Sequence, residues 1–277
     1  MKYRHFKKMP KAYLTYPAIL KGAFSSKKLI TKTLTLPQVT YVVAEHLVSP
    51  KRLVQYNQVC GFKNNGYIPA IYFAMQAQTL HMYMMTQEDF PLAVLSLVHE
   101  KNQVIQYQKI IANQSYKITC QFGEVIQTKE GVSVEFISKV YDKEALMAKI
   151  KSTYFQACSK NLSNQRQCLT PELEIQAQWR VVQSTTRRYA CISGDFNVVH
   201  LHDWGAKFFG LDRAIAHGMW TQANIMARLN LPEQYDFNVS FLHPLYLGSD
   251  VALSLCDQNI KLLDQHTDLI YVSGCLK

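Results

Sequence analysis

At residues 193–200 the chain reads SGDFNVVH, which sets a carboxylate, Asp195, and an imidazole, His200, five residues apart beside Gly194 and Asn197. A helix would splay two side chains at that spacing by more than a quarter turn, and a strand would send them to opposite faces. Gly194 and Asn197 favour turns. The octamer therefore reads as an irregular loop that bends two titratable groups toward one point, where they would be equipped for general acid–base catalysis. The alternative is a turn in which Asp and Asn cap their own backbone.

The loop must be positioned by something, and the chain supplies it twice. SPKRLVQYNQVCGF (49–62) lies over STTRRYACISGD (184–195), with Tyr56 on Tyr189 and Gly61 on Gly194 at a common offset of 133. Each stretch follows an extended run and opens on a serine read as a helix N-cap, Ser49 or Ser184. Downstream, IPAIYFAMQAQTLHMYM (68–84) resembles AIAHGMWTQANIMARL (214–229), and both are apolar nearly all round, as a helix buried on several sides must be. Strand-like pieces follow in each copy: NQVIQYQKI, YKITCQF and VSVEFISKVY, then FNVSFLHPL, VALSLC and LIYVSGCL. The pattern predicts an α+β fold of two tandem units, each a long buried helix wrapped by an antiparallel sheet. The boundaries predicted are a basic segment at 1–34, a first unit at 35–155, a polar linker at 156–178 and a second unit at 179–277.

Composition bounds the rest. A chain of 277 residues with 48% hydrophobic and 12% aromatic residues can bury a large core. No apolar run is long enough to cross a bilayer, and the opening residues scatter Lys, Arg, His and Pro where a signal peptide needs an apolar stretch, so a cytoplasmic location is expected. Seven cysteines without a CxxC pair, with Cys60, Cys120, Cys191, Cys256 and Cys275 inside apolar runs, read as small buried hydrophobes. The net charge of +10 suits an anionic partner. Nine lysines and arginines without an acid precede residue 36, which reads as a solvated basic tail; no nucleic-acid-binding signature follows it.

YACISGDFNVVHLHDWGA (189–206), followed by AIAHGMWT (214–221), resembles the signature of the MaoC-like dehydratases, or R-specific (type 2) enoyl-CoA hydratases, which have the hot dog fold. Asp195, Asn197, His200, Ala206, Ile215, His217, Gly218 and Met219 match its two blocks in order. Val198 stands where the family usually has proline, and Met226 where many short bacterial members have serine. The first copy is similar to the degenerate first hot dog of two-domain 3-hydroxyacyl-thioester dehydratases, so the resemblance implies a double hot dog.

It also implies the chemistry: hydration of a trans-2-enoyl thioester, or dehydration of the (R)-3-hydroxyacyl thioester, in fatty acid metabolism. Asp195 and His200 would share the acid and base roles on one water. The Gly218 N–H, opening a buried helix, would receive charge on the thioester oxygen. Asn197 either orients His200 or caps the turn, and His217 reads as a supporting structural group. No metal is expected, because His200, His202 and Asp203 lack a further ligand at a usual spacing. The implied partner is acyl-CoA or an acyl carrier protein, with coenzyme A or phosphopantetheine as part of the substrate and no separate cofactor. Arg187, Arg188, Lys207 and Arg213 are candidates for the phosphate or carrier contact. Phe62, Tyr67, Met219 and Trp220 are candidates for the acyl pocket. At the offset of 133, Phe62 replaces Asp195 and Tyr67 replaces His200, so the first copy is expected to supply an apolar wall without acid–base groups. A monomer built as a pseudo-dimer is expected, or a homodimer of it. The rivals are a hot dog thioesterase and a non-catalytic acyl-thioester binding protein.

Overall fold

The structure is a computed structural model and describes residues 2–11, 15, 17, 34–158 and 174–277. In chain order the first copy comprises strands β1 (Lys2–Phe6) and β2 (Val39–Leu47), helices α1 (Pro50–Cys60) and α2 (Ala70–Met85), and strands β3 (Leu97–Gln106), β4 (Ser115–Gln127), β5 (Gly131–Asp142) and β6 (Ala145–Ala157). The second comprises β7 (Ile175–Arg180), α3 (Gln183–Ser193), a 3-10 turn (Val198–His200), α4 (Asp203–Phe208), α5 (Gly218–Met226), β8 (Tyr235–Phe241), β9 (Asp250–Cys256), β10 (Asn259–Asp264) and β11 (Ile270–Leu276). All the strands join one sheet in the order β1-β2-β4-β5-β6-β3-β8-β11-β10-β9-β7. Leaving β1 aside, each side of the β3–β8 junction repeats the order of the other, and every pairing is antiparallel except β1 with β2.

The wrapped helices explain the apolar sequences. Thirteen of the sixteen residues of α2 are buried, and so are Met219 through Met226 of α5, because sheet and partner elements close over every face. β6 and β10 are additions to the strands read from sequence. In β6, Ala148, Ile150, Ser152 and Tyr154 point inward while Lys149 and Lys151 point out, the alternation of a half-buried strand.

At the β3–β8 junction, Lys101 faces Ser240 and Gln106 faces Tyr235. Two buried amides meet beneath it: Asn102 Nδ2 donates to Gln222 Oε1 at 2.7 Å, and Ser152 Oγ donates to Asn102 Oδ1 at 2.8 Å. Buried polar groups of this kind hold one register, because a slip would leave them unpaired. The helices also cross-brace the halves. Trp220 Nε1 donates to Val59 O and Asn224 Nδ2 to Cys60 O, each at 3.0 Å, while Arg52 donates to Ile192 O at 2.6 Å.

The two copies superimpose in their hydrogen bonds, and this corrects the alignment by a single offset. Gly61 and Gly194 end α1 and α3 in the left-handed conformation, with φ of 94° and 80°. Tyr56 and Tyr189, one turn earlier, are both fully buried. The next matching contacts are Ala112 N–H to Gly66 O and Leu247 N–H to Ala214 O. The isolated bridge Tyr67–Ile111 in turn matches Ile215–Tyr246. Tyr67 thus occupies the place of Ile215, not that of His200. Four residues separate Gly61 from Gly66, whereas nineteen separate Gly194 from Ala214. The second copy carries an insert, and the first copy lacks the His200 position altogether. Phe62 still follows its glycine as Asp195 does.

Smaller corrections follow the same physical logic. Ser49 sits at the N-cap position but makes no side-chain cap bond, with Pro50 opening the helix; Ser184 lies inside α3, whose N-cap position is held by Val182, again without a side-chain cap bond. Residues 2–6 are not a free tail: they pair with β2, and Arg4 donates to Gln87 Oε1 at 2.7 Å and lies over the Tyr83 ring. Lys21, Lys27, Lys28 and Lys32 lie outside the described residues. Cys60 and Cys120 are buried, but Cys191 is exposed and Cys256 and Cys275 are half-buried. The expected linker overlaps the end of β6 and the first four of the six residues of β7; residues 159–173 lie outside the described residues. Among the described residues no helix is long and apolar enough to cross a membrane.

Candidate active site

The insert begins where α3 stops. Once Gly194 has turned the chain, Asp195 N–H donates to Ser193 Oγ at 3.1 Å, and Ser193 donates in turn to Tyr189 O. Asn197 N–H then donates to Asp195 Oδ1 at 3.2 Å. The Asn197 side chain accepts from Val199 N–H and caps the 3-10 turn that delivers His200, so of its two expected roles the structure places it in the cap. α4 closes tightly on this turn: a Cβ on Gly205 would lie 2.8 Å from that of Val198.

Backbone carbonyls fix both imidazoles. His200 Nδ1 lies 3.0 Å from Ile215 O and His217 Nε2 3.0 Å from Asp195 O; since a carbonyl only accepts, each of these nitrogens carries a proton. His200 Nε2 is left as the lone-pair nitrogen. Ligand-type atoms of Asp195, His200 and His217 lie within 4.8 Å of one another, so three polar groups converge on one point. His217, read from sequence as a support, is part of that convergence. His202 and Asp203 are not: His202 stacks on Trp204, and Asp203 Oδ1 accepts the Ala214 N–H at 2.8 Å.

The charges are set by what surrounds them. Burial pushes the Asp195 carboxyl up, but the facing His217 and His200, the Asn197 N–H and the Gln78 amide outweigh it, and the group stays below the usual carboxylate range. Burial lowers His200 against the pull of Asp195, and lowers His217 to about 3 with the help of its neighbour His200. At neutral pH the site holds one carboxylate and two neutral imidazoles.

Gly218 is the first residue of α5, directly after His217. Its N–H belongs to the helix's first turn, which has no intrahelical acceptor. The Phe241 ring covers its Cα so closely that a Cβ would come within 3.2 Å. An acceptor approaching there meets N–H groups at the positive end of the helix dipole.

Two contributors from the first copy escaped the sequence reading. Gln78 on α2 donates from Nε2 to Asp195 Oδ2 at 3.2 Å. His99 on β3 stacks on Tyr154 at 4.6 Å, lies against Phe241 at 5.4 Å, and feels the charge of Asp195. Its Nε2 is buried without a partner. For Gln78 the one hint was its polar side chain inside the otherwise apolar helix 68–84, which does not say what it meets; His99, on β3, had none.

The remaining candidates lie further out or deeper in. Arg187, Arg188 and Lys207 are exposed on α3 and α4, and Arg213, also exposed, lies over the Tyr246 ring at 5.3 Å. Phe62 stacks on Tyr56 at 6.2 Å, and a run of rings continues through Tyr189 to His217. Tyr67 is exposed beneath Lys109. Met219 is buried in the core, and Trp220 is committed to Val59 between the halves.

Comparison with known proteins bears on the fold and on the second half of the chain. The family model described as MaoC like domain matches residues 159–271. The 3-hydroxyacyl-thioester dehydratase X of Mycobacterium tuberculosis is 26% identical over 249 residues, spanning 86% of this chain and 88% of that protein. The crystal structure of HtdX from that organism is similar with a TM-score of 0.74 at 22% identity, covering 86% of this chain and 98% of that one. A MaoC-like dehydratase from Phytophthora capsici gives 0.67 at 14% identity, covering 90% and 97%. A mycobacterial protein with a double hotdog fold gives 0.56 at 8% identity, covering 88% and 96%. The chain is a double hot dog, and its second half matches the MaoC like domain.

Proposed function

We propose that the protein hydrates trans-2-enoyl thioesters, and in reverse dehydrates (R)-3-hydroxyacyl thioesters, as an R-specific hydro-lyase of fatty acid metabolism. The observation that carries this reading is the convergence of an ionised Asp195 and a neutral His200, with its lone pair on Nε2, beside the helix start at Gly218. A water between the pair would lose a proton to it as the oxygen bonds to the β carbon. Electrons then move through the double bond onto the thioester oxygen, where the Gly218 N–H and the helix dipole oppose the growing charge. Returning the proton to the α carbon restores the carbonyl and leaves the pair unchanged, so H and OH are added with nothing left over. General acid and base groups so placed contribute on the order of 10²–10⁴ in rate. Coenzyme A or an acyl carrier protein would carry the acyl group, and the net charge of +10 suits either one.

The test is hydration of crotonyl-CoA, followed by loss of enoyl absorbance, with the product passed to a stereospecific 3-hydroxyacyl dehydrogenase. Formation of the R product supports the reading. An S product, or release of free thiol in place of hydration, overturns it.

A further inference from the structure

We propose that Gln78 is the positioning residue for the Asp195 carboxylate, so that the copy without the catalytic insert still sets the geometry of the acid–base pair. This rests on the reading of Asp195 as a catalytic group. The two carboxylate oxygens are held from different halves of the molecule: Oδ1 by the Asn197 N–H of the insert, and Oδ2 by the Gln78 amide from α2, each at 3.2 Å. One bond alone would leave the carboxylate free to rotate about its Cβ–Cγ bond. Two bonds to different bodies fix that rotation and tie it to the packing of the halves.

The contact is built into the pseudo-symmetric interface. In the opposite direction α5 sends an amide, Asn224, to the end of α1, where it meets the backbone carbonyl of Cys60 at 3.0 Å. Each long helix therefore braces the region where the other copy's short helix ends. Only in the second copy is the braced group a reactive carboxylate. An amide suits this task because it donates without carrying charge, so Asp195 is held but not neutralised by a fixed cation. The other titratable groups around Asp195 are His200 and His217 in its own half, Tyr189 on α3, and His99 and Tyr154 from the first copy. Burial keeps the tyrosines protonated and lowers the histidines, leaving Gln78 as the side-chain donor to the carboxylate among the described residues.

Two variants of the full chain test this. Gln78→Leu removes the donor, and Gln78→Glu keeps the shape but sets a second carboxylate against the first. Hydrogen bonds to charged groups are worth enough that kcat of Gln78→Leu should fall on the order of ten- to hundredfold, with KM little changed. The acid limb of its pH–rate profile should move to higher pH, because the carboxylate has lost a group that favours its ionised form. Gln78→Glu should move the limb further, since two facing carboxyls share a proton. In parallel, titration of the Asp195 carboxyl carbon by NMR without substrate should show its pKa raised in Gln78→Leu. Wild-type kcat together with an unshifted Asp195 titration would overturn the proposal. Should Gln78→Leu fail to fold, the isosteric Gln78→Glu decides by the same two readings. If the wild-type protein hydrates no enoyl thioester, the proposed function fails, while the carboxyl titration still reports whether Gln78 holds Asp195.

Discussion

The imidazoles of His200 and His217 stack with ring centroids 3.9 Å apart and an interplanar angle of 29°. Two rings in such contact cannot both carry a proton's charge cheaply, and the deeper one, His217, is held neutral. Its Nε2–H bond to the Asp195 carbonyl pins the loop that carries the acid–base pair.

His217 should therefore be more than a wall of the site. His217→Gln can keep a donor near the Nε2 position and should retain part of the activity. His217→Ala leaves the Asp195 carbonyl unpaired, and should lower kcat about tenfold or more and cost ~1–3 kcal/mol of stability. Steady-state kinetics and thermal melts on both variants check this; equal, near-normal kcat in the two would remove the pinning role.

Acid should destabilise the fold well before its carboxylates titrate. Burial lowers His81 to about 3, His99 to about 4, His46 to about 4 and His217 to about 3. These groups bind protons in the unfolded chain below an ordinary histidine pKa of about 6.5, but not in the folded one until pH 3–4. In that window the unfolded state holds more protons, so stability is full above it and drains away as pH falls, at about 1.4 kcal/mol per pH unit for each such histidine. Denaturant midpoints measured from pH 7.5 to 4.5 should fall steadily. A flat profile would mean that these rings are solvated.

The insert can be exchanged as a unit. Residues 62–65 join Gly61 to Gly66 in the first copy, just as residues 195–213 join Gly194 to Ala214 in the second. Replacing the longer segment with the shorter should yield a protein that unfolds cooperatively, binds no water between acid and base, and has no hydratase turnover. Circular dichroism melts and the crotonyl-CoA assay read this out. An aggregated chimera would show that the insert is also needed for folding.

Much of this was legible because it is local. The left-handed glycines Gly61 and Gly194, the buried tyrosines one turn before them, and the helix opening at Gly218 each follow from short-range spacing and residue type. Asp195 and His200 stood out because no regular element explains their interval. A single offset could not reveal that the first copy lacks the insert, and so it set Tyr67 on His200 when the backbone places it on Ile215. Gln78 and His99 were not legible, because their approach to Asp195 depends on how α2 and β3 of one copy pack against the other. β6 and β10 went unread even though their alternation was available: the lysines in AKIKSTY and NIKLLD mask strands whose inward faces are apolar.

The central claim is that Asp195 and His200 act together on one water. Asp195→Asn and His200→Gln should each lower kcat for crotonyl-CoA hydration by about 10² or more. Melting temperatures should stay near that of the wild type, because both side chains are only partly buried and the loop keeps its backbone bonds. The double variant should be little slower than the worse single one, since the pair works as a unit. Near-normal turnover in either single variant would contradict the account.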